Sequence, residues 1–162
     1  MRTLAGAEFS PCRKYRYRLW RQWDRSSPSA VFVMLNPSTA DETENDQTVE
    51  RCERRARAMG FGGVRVANIF ALRSTDPAAL PRHRDPVGPG NDVAILKSVT
   101  GAGIVVCAWG GHGRVHQRGE IVVRLLREHG VALHYLKLNK DGTPKHPLYV
   151  AYSVQPQLWE AP

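Results

Sequence analysis

The chain has 162 residues, of which 42% are hydrophobic and 23% are charged, as is usual for a soluble globular protein, so we expect a single domain over residues 1–162. Its three cysteines, Cys12, Cys52 and Cys107, are far apart and form no CxxC pair, which argues against a disulfide framework, a zinc site or an iron–sulfur cluster. The formal net charge of +8 fits either a merely basic protein or one that binds an anionic partner, most often nucleic acid.

The sequence has no apolar stretch near the ~20 residues that a membrane-spanning helix needs. Its first residues include Glu8 and lead into a run of arginines and tyrosines, which is unlike a signal peptide. We therefore expect a cytoplasmic protein with no membrane partner, and we expect it to be a monomer.

Residues 13–24 alternate in character, which predicts a half-exposed strand. One face of it carries Tyr15, Tyr17 and Leu19, and the other carries Arg16 and Arg18. Strands and helices then alternate. The predicted strands span residues 30–35, 64–72, 103–109 and 131–138, and the predicted helices span 47–59, 74–80, 92–99 and 117–130. This order predicts an α/β fold, a three-layer sandwich with a mainly parallel four-stranded central sheet plus an N-terminal strand or hairpin.

Ligands of such sheets bind beyond the carboxyl ends of the strands. Amides, hydroxyls, imidazoles, an indole and basic groups lie at or after the ends of all four predicted strands. They are Asn36, Pro37, Ser38 and Thr39 at the first, Asn68 and Arg73 at the second, Trp109, Gly110 and His112 at the third, and Asn139, Lys140 and His146 at the fourth. Their position alone predicts a binding site at this edge.

The amide of Asn36 has two interpretations, a local turn or cap or a group that orients a water or holds a carbonyl. Pro37 favours extended geometry at Asn36, and the small Ser38 and Thr39 let backbone N–H groups approach a ligand. The acidic loop that follows is either a solvated loop with a helix cap, or it supplies Asp41 or Asp46 to activate water.

Asn68 interrupts an apolar strand, and a buried amide needs partners. Either neighbouring backbone supplies them or the amide recognises a pyrimidine edge. Phe70 is either part of the core or stacks on a planar ligand. His112 and His116 have the i, i+4 spacing of a metal pair, although the glycines around them favour a loop. His146, before Pro147, is either a surface residue or catalytic.

Basic residues are spread along the chain, and several follow the predicted site. Those of "RCERRAR" (residues 51–57) are expected to form mostly the solvated face of a helix. These arginines, together with basic residues in loops nearer the predicted site, could also contact phosphates. The candidates are Arg73, Arg82, Arg84, Arg114, Arg118, Lys140 and Lys145.

Six ordered motifs resemble a bacterial family known only as domain of unknown function 1643. They are "MLNPSTAD", "RC", "NIFALRSTDP", "DPVG…ND", "AWGGHG" and "HPLY". More distantly, "MLNPS", "VRVANIFALR", "VVCAWGG" and "KHPLY" are similar in order and placement to the motifs of the uracil-DNA glycosylase superfamily. Met34 stands where that superfamily often has glycine, and Leu148 where serine is common.

The second resemblance implies a uracil-DNA glycosylase-like fold and a monofunctional DNA glycosylase without metal or other cofactor. The base, a uracil, a 5-substituted uracil or a deaminated purine, would be flipped out of the DNA. His146 would stabilise charge on the departing base, and Asn36 would position the water, assisted by Asp41 or Asp46. The implied substrate-binding residues are Pro37, Ser38, Thr39, Asn68, Phe70, Trp109, Gly110 and His112, and those for the DNA backbone are Arg73, Arg114, Lys140 and Lys145.

Two other functions remain open from the residues. One is a non-catalytic module that binds nucleic acid or a nucleotide on the same fold. The other is a metal-dependent hydrolase that uses Asp41, Asp46, His112 and His116.

Overall fold

A single mixed sheet of seven strands organises residues 2–160, which are the residues described by the computed structural model. The strands are β1 Leu4–Phe9, β2 Arg16–Gln22, β3 Ser29–Met34, β4 Gly63–Asn68, β5 Ile104–Cys107, β6 His134–Tyr135 and β7 Gln157–Leu158. Their order is β1-β2-β4-β3-β5-β6-β7. The four central strands β4, β3, β5 and β6 run parallel, whereas β1, β2 and β7 are antiparallel to their neighbours.

Helices cover both faces of this sheet. The α-helices are α1 Gln47–Ala58, α2 Asn91–Val99 and α3 Arg118–Glu128, and short 3₁₀ helices span Pro77–Arg82, Gly111–Gln117 and Pro147–Tyr149. Strand β3 is buried along its whole length, because its side chains alternate between the two faces of the sheet and helices cover both of them. Val31 and Val33 pack with α2 and α3, while Phe32 packs with α1.

Helix α1 shows how the sequence determines this packing. The Asp46 side chain accepts a hydrogen bond from the backbone N–H of Val49 and so caps the helix. Val49, Cys52 and Ala56 recur at helical spacing and are fully or almost fully buried against the sheet. The chain leaves the helix through Gly60, whose φ of +84° suits glycine.

The predicted four-stranded sheet with an N-terminal strand or hairpin is one mixed sheet of seven strands. The antiparallel pair β1 and β2 extends it on one side, and β7, which was not predicted, extends it on the other. Strand β7 is only two residues long, and "LAGAEF" of β1 has little apolar alternation, so neither gives a clear sequence signal. The predicted strands 64–72 and 131–138 were too long, since β4 ends at Asn68 and β6 covers only His134–Tyr135.

Strand β2 also differs from its prediction. Arg16 was expected with Arg18 on one face of a half-exposed strand, but it is buried, and so is Arg21. The guanidinium of Arg21 donates to the backbone oxygens of Asp41 (2.7 Å) and Glu44 (3.3 Å). The acidic loop thus lies over β2 and supplies the acceptors that a buried arginine requires. In the described residues, no helix has the length and apolarity needed to cross a membrane.

Candidate functional site

A small cavity lies where β3 and β4 end, beside the first turn of α1. Its volume of about 30 Å³ is enough for one or two water molecules. The polar residues that line it are Arg16, Asn36, Ser38, Asp46, Thr48, Asn68 and His146, and the apolar ones are Met34, Pro37 and Val49. The structure therefore brings together Asn36, which follows β3, Asn68, which is the last residue of β4, and His146, which comes after β6.

The side chain of Asn36 offers the cavity an acceptor. Its Nδ2 donates to the backbone oxygens of Ser74 (2.9 Å) and Pro37 (3.1 Å). Because both partners are carbonyls, they fix which end of the amide is NH₂. Within the described residues Oδ1 has no hydrogen-bond partner, so it is the end left for a ligand or water.

The side chain of Asn68 offers the cavity a hydrogen-bond donor. Its Oδ1 accepts a hydrogen bond from Arg16 Nη2 (3.3 Å), which leaves Nδ2 as the donor without a partner in the described part of the chain. Arg16 also donates to the Ala40 oxygen (3.1 Å) and is only 2% exposed. Burial lowers the pKa of Arg16 to about 10, so its guanidinium stays charged near neutral pH.

His146 contributes a second donor. Its Nδ1 accepts the backbone N–H of Leu148 (3.2 Å) at the start of a 3₁₀ helix. Burial lowers the pKa of His146 to about 4, against a smaller opposing effect of the Asp46 carboxylate. The ring is therefore neutral near pH 7, with its proton on Nε2.

The two acidic candidates differ in position. Asp46 lines the cavity and caps α1, and its Oδ2 also accepts the backbone N–H of Ala40 (3.3 Å). Asp41 is outside the lining. Its Oδ1 accepts the backbone N–H groups of Glu44 (2.8 Å) and Thr43 (3.0 Å), and these bonds lower its pKa. The structure gives Asp41 the role of closing the acidic loop.

Two aromatic candidates are in the core rather than at the cavity. Phe70 is completely buried and Trp109 is 3% exposed, and both belong to the cluster on the side of α2 and α3. The indole of Trp109 lies directly over Gly113 and Gly119, where a Cβ would overlap it. The prediction that these rings contact a ligand has no support from their positions.

The other predicted substrate-binding residues surround the cavity at different distances. Pro37 and Ser38 line it, whereas Thr39 is exposed and outside the lining. Gly110 donates its N–H to the Pro144 oxygen (2.7 Å), which connects the end of β5 to the loop before His146. His112 is exposed.

The predicted phosphate contacts are of two kinds. Arg114 is 72% exposed beside Asp141 (3.9 Å), and Lys140 is also exposed. Lys145 is half-buried, and Arg73 donates to the Ser38 oxygen (3.3 Å) and to the Arg13 oxygen. Arg73 thus helps to hold the loop at the cavity.

A metal centre built from Asp41, Asp46, His112 and His116 was one predicted alternative. Among residues 2–160, no group of three or more His, Cys, Asp or Glu side chains is arranged to hold a metal ion. His116 is exposed in a left-handed conformation, with φ of +54°, so the two histidines do not share a helix face.

A larger pocket of about 170 Å³ lies between α1 and the C-terminal segment. Its lining includes Arg55, Met59 and Tyr152, but no carboxylate, histidine, cysteine or hydroxyl side chain other than the tyrosine. Arg55 donates to the backbone oxygens of residues 150, 151 and 154. We interpret this pocket as the seam where the C-terminal segment is attached, because it lacks groups for chemistry.

Sequence reasoning missed Arg16 as a cavity residue. An arginine between two tyrosines in a strand has the pattern of an exposed position, and its burial depends on the loop that folds over it. The alternating pattern alone carries no signal for that loop.

Comparisons with known proteins show the family of the chain. The profile described as "Protein of unknown function (DUF1643)" matches residues 16–148, a range that includes every residue lining the cavity. A search of curated proteins and a search of solved structures each gave no match. Since the match covers most of the 162 residues, the chain belongs to the family described as protein of unknown function (DUF1643).

Proposed function

We propose that this protein hydrolyses the N-glycosidic bond of a damaged or modified base in DNA. The observation that carries the proposal is the set of free groups around the cavity: one acceptor on Asn36 and donors on Asn68 and His146. A water and a base carbonyl are ligands with the matching donors and acceptors. The basic charge of +8 suits a polyanionic substrate.

Asn36 would position the attacking water. Its amide is fixed by two carbonyls, so Oδ1 is oriented in advance and loses little freedom when it accepts the hydrogen bond of a water. Asp46, in the same lining, would add negative charge on the side where the sugar becomes an oxocarbenium ion. An amide is a poor base, so we expect slow turnover or a preference for labile bases.

His146 and Asn68 would hold the departing base. Cleavage leaves negative charge on a base oxygen, and donors already aimed at that oxygen stabilise it without reorganisation. A neutral imidazole with its proton on Nε2 donates such a bond and keeps its proton. The lowered pKa of His146 ensures this state throughout the neutral range.

Entry of a base requires the cavity to open. Its present volume of about 30 Å³ is far below the roughly 300 Å³ or more of pockets that enclose small molecules. The His146 segment is the element we expect to move, because it is a loop between β6 and a 3₁₀ helix rather than part of the sheet. Tyr149, 74% exposed with its ring 6.1 Å from that of His146, is available there to stack on a base.

The test is base release from oligonucleotides that carry uracil, 5-hydroxymethyluracil, hypoxanthine or xanthine, detected as abasic sites. The proposal predicts release from at least one of them by the wild-type chain and strong loss in Asn36→Ala and His146→Ala. Thr39→Ala is the matched control, since Thr39 is in the same loop but exposed outside the lining. Absence of release from every oligonucleotide would refute the proposal.

A second candidate is a nucleic-acid-binding module without catalysis. It is favoured by the small cavity and by the arginines that lie over the exposed Tyr152 ring, with Arg51 at 4.2 Å and Arg54 at 5.8 Å from its centre. Stacking and charge of this kind bind single strands without sequence preference. Salt-dependent binding with no release of any base would support this candidate over the first.

A further inference from the structure

Arg16 is a buried cation without an ion-pair partner. Among the described residues no carboxylate forms a salt bridge with it, and its buried Nε has no hydrogen-bond partner. Its two acceptors, the Ala40 oxygen and Asn68 Oδ1, are both neutral. A charge taken out of water in this way is expensive unless another charge offsets it.

The charges around Arg16 offset its burial only in part. Burial is the main cause that lowers the pKa of Arg16; the Asp46 carboxylate opposes this, whereas Arg73 and Arg21 add to it. Both Asp46 oxygens already accept backbone N–H groups. His146, in the same lining, is neutral because burial lowers its pKa. Asp46 is thus the one carboxylate in the cavity lining, its oxygens are engaged by backbone N–H groups, and among the described residues none of its atoms is within ion-pair distance of Arg16.

We propose that Arg16 makes this cavity selective for a ligand oxygen that carries negative charge, and that it positions Asn68 to donate to the same oxygen. By holding Oδ1, Arg16 sets the orientation of the Asn68 amide and leaves Nδ2 for the ligand. The inference rests on the proposed function, in which the charged oxygen belongs to the departing base. Arg16 is then a positioning residue that also supplies charge.

A charged oxygen gains more from this arrangement than a neutral one. Hydrogen bonds that involve an ionised group are about twice as strong as those between neutral groups, and a buried guanidinium is poorly screened. The same environment stabilises a base anion relative to the intact, neutral base. Selectivity for the anion is therefore a property that binding alone reveals, without any chemical step.

The test is binding of two free bases to the full ¹⁵N-labelled chain, by calorimetry and by the side-chain NH₂ signal of Asn68. Thymine is neutral at pH 7.5, whereas 5-nitrouracil has lost a ring proton because its nitro group withdraws electrons from the ring. The wild-type chain is expected to bind the anion about tenfold more tightly. Arg16→Met should lose this preference, and Arg16→Lys should keep part of it while the Asn68 signal changes position. Arg18→Met, from the same strand but outside the lining, should behave as wild type.

Each outcome separates the two proposals. Equal affinities in the wild-type chain, binding of neither base, or an unchanged preference in Arg16→Met would overturn the inference, even if the chain releases bases from DNA. Selectivity for the anion without base release from any oligonucleotide would refute the proposed hydrolysis and leave the inference standing. If Arg16→Met fails to fold, the wild-type comparison and Arg16→Lys still decide.

Discussion

Two buried arginines contact the end of β4 from opposite faces of the sheet, and they differ in what balances their charge. Arg118, on α3, donates to the Ile69 oxygen (2.7 Å) and forms an ion pair with Asp92 (2.5 Å). Arg16, on the α1 side, holds the Asn68 amide and has no carboxylate partner in the described residues. Arg118 has a counter-charge in direct contact, whereas within the described residues Arg16 has none at ion-pair distance.

The two faces have different roles: the Arg118 face stabilises the fold, and the Arg16 face has groups available to a ligand. On the Arg118 face, Asn91 also donates to the oxygens of Asn68 and Ile69, so the backbone after β4 is fixed by hydrogen bonds within the protein. On the Arg16 face, Asn36, Asn68 and His146 each keep one group that has no partner among residues 2–160. Changes on the first face should affect stability, and changes on the second should affect ligands.

The largest expected effect is on the cavity face. Asn36→Ala should reduce single-turnover base release by about 10³-fold, because the water loses its orienting acceptor. Its melting temperature should change little, since the amide bonds only two loop carbonyls. Asn36→Asp, a stronger base of the same size, should retain more activity than the alanine variant. Equal rates for wild type and Asn36→Ala would contradict the assignment of Asn36.

The next effect is on the supporting face. Arg118→Met should lower the free energy of unfolding by about 3 kcal/mol, because it leaves the Ile69 oxygen and Asp92 without their partner. Arg16→Met should lower it by less than about 1 kcal/mol, since removal of a charge without a counter-charge offsets the lost hydrogen bonds. Urea denaturation of both variants measures this contrast. A larger loss for Arg16→Met would mean that Arg16 is mainly structural.

A smaller effect comes from pH. The unfolded chain protonates His146 near pH 6.5, but burial lowers the pKa to about 4 in the folded protein. Between these values the unfolded state binds the extra proton, so stability falls as pH decreases from 6.5 to 4. Allowing for partial exposure of the ring, the loss is about 2 kcal/mol.

His146→Gln removes this titration while keeping a polar side chain. The stability of the wild-type chain relative to His146→Gln should therefore decrease as the pH is lowered, as measured by urea denaturation at several pH values. A constant difference across the range would show that His146 is not protonated in this way.

The smallest effect concerns the exposed cations. Lys140→Ala and Arg114→Ala should each reduce the salt dependence of DNA binding by about one unit of slope. Both side chains are exposed, so stability should be unchanged. A salt slope that both variants leave unaltered would place the DNA on another surface.

The sequence predicted which residues meet at the ends of the strands better than it predicted how long the strands are. Parallel strands end at one edge, so Asn36, Asn68 and His146 were expected together, and one cavity does join them; their chemical roles stay predictions. Phe70 and Trp109 were placed at that edge because strands 64–72 and 103–109 were predicted too long. The chain leaves β4 at Asn68 and β5 at Cys107, and the following residues turn back into the core.

Long-range contacts explain the rest. A helix cap in the acidic loop was one of the two predicted roles, and Asp46 is that cap, since capping depends on residues within one turn. The burial of Arg16 and Arg21 depends on a loop about twenty residues further along, at Ala40 and Asp41. Local alternation has no information about that contact, so the residue central to the cavity's charge escaped prediction.

The most direct test of the proposed hydrolysis is a single-turnover assay with excess protein. Its substrate is the oligonucleotide from which the wild-type chain releases the modified base fastest. The assay reports the bond-breaking step without product release. We expect measurable base release by the wild-type chain, loss of about 10³-fold in Asn36→Ala and about 10²-fold or more in His146→Ala, and no loss in Thr39→Ala. Release that is independent of Asn36 and His146, or no release from any oligonucleotide, would contradict this expectation.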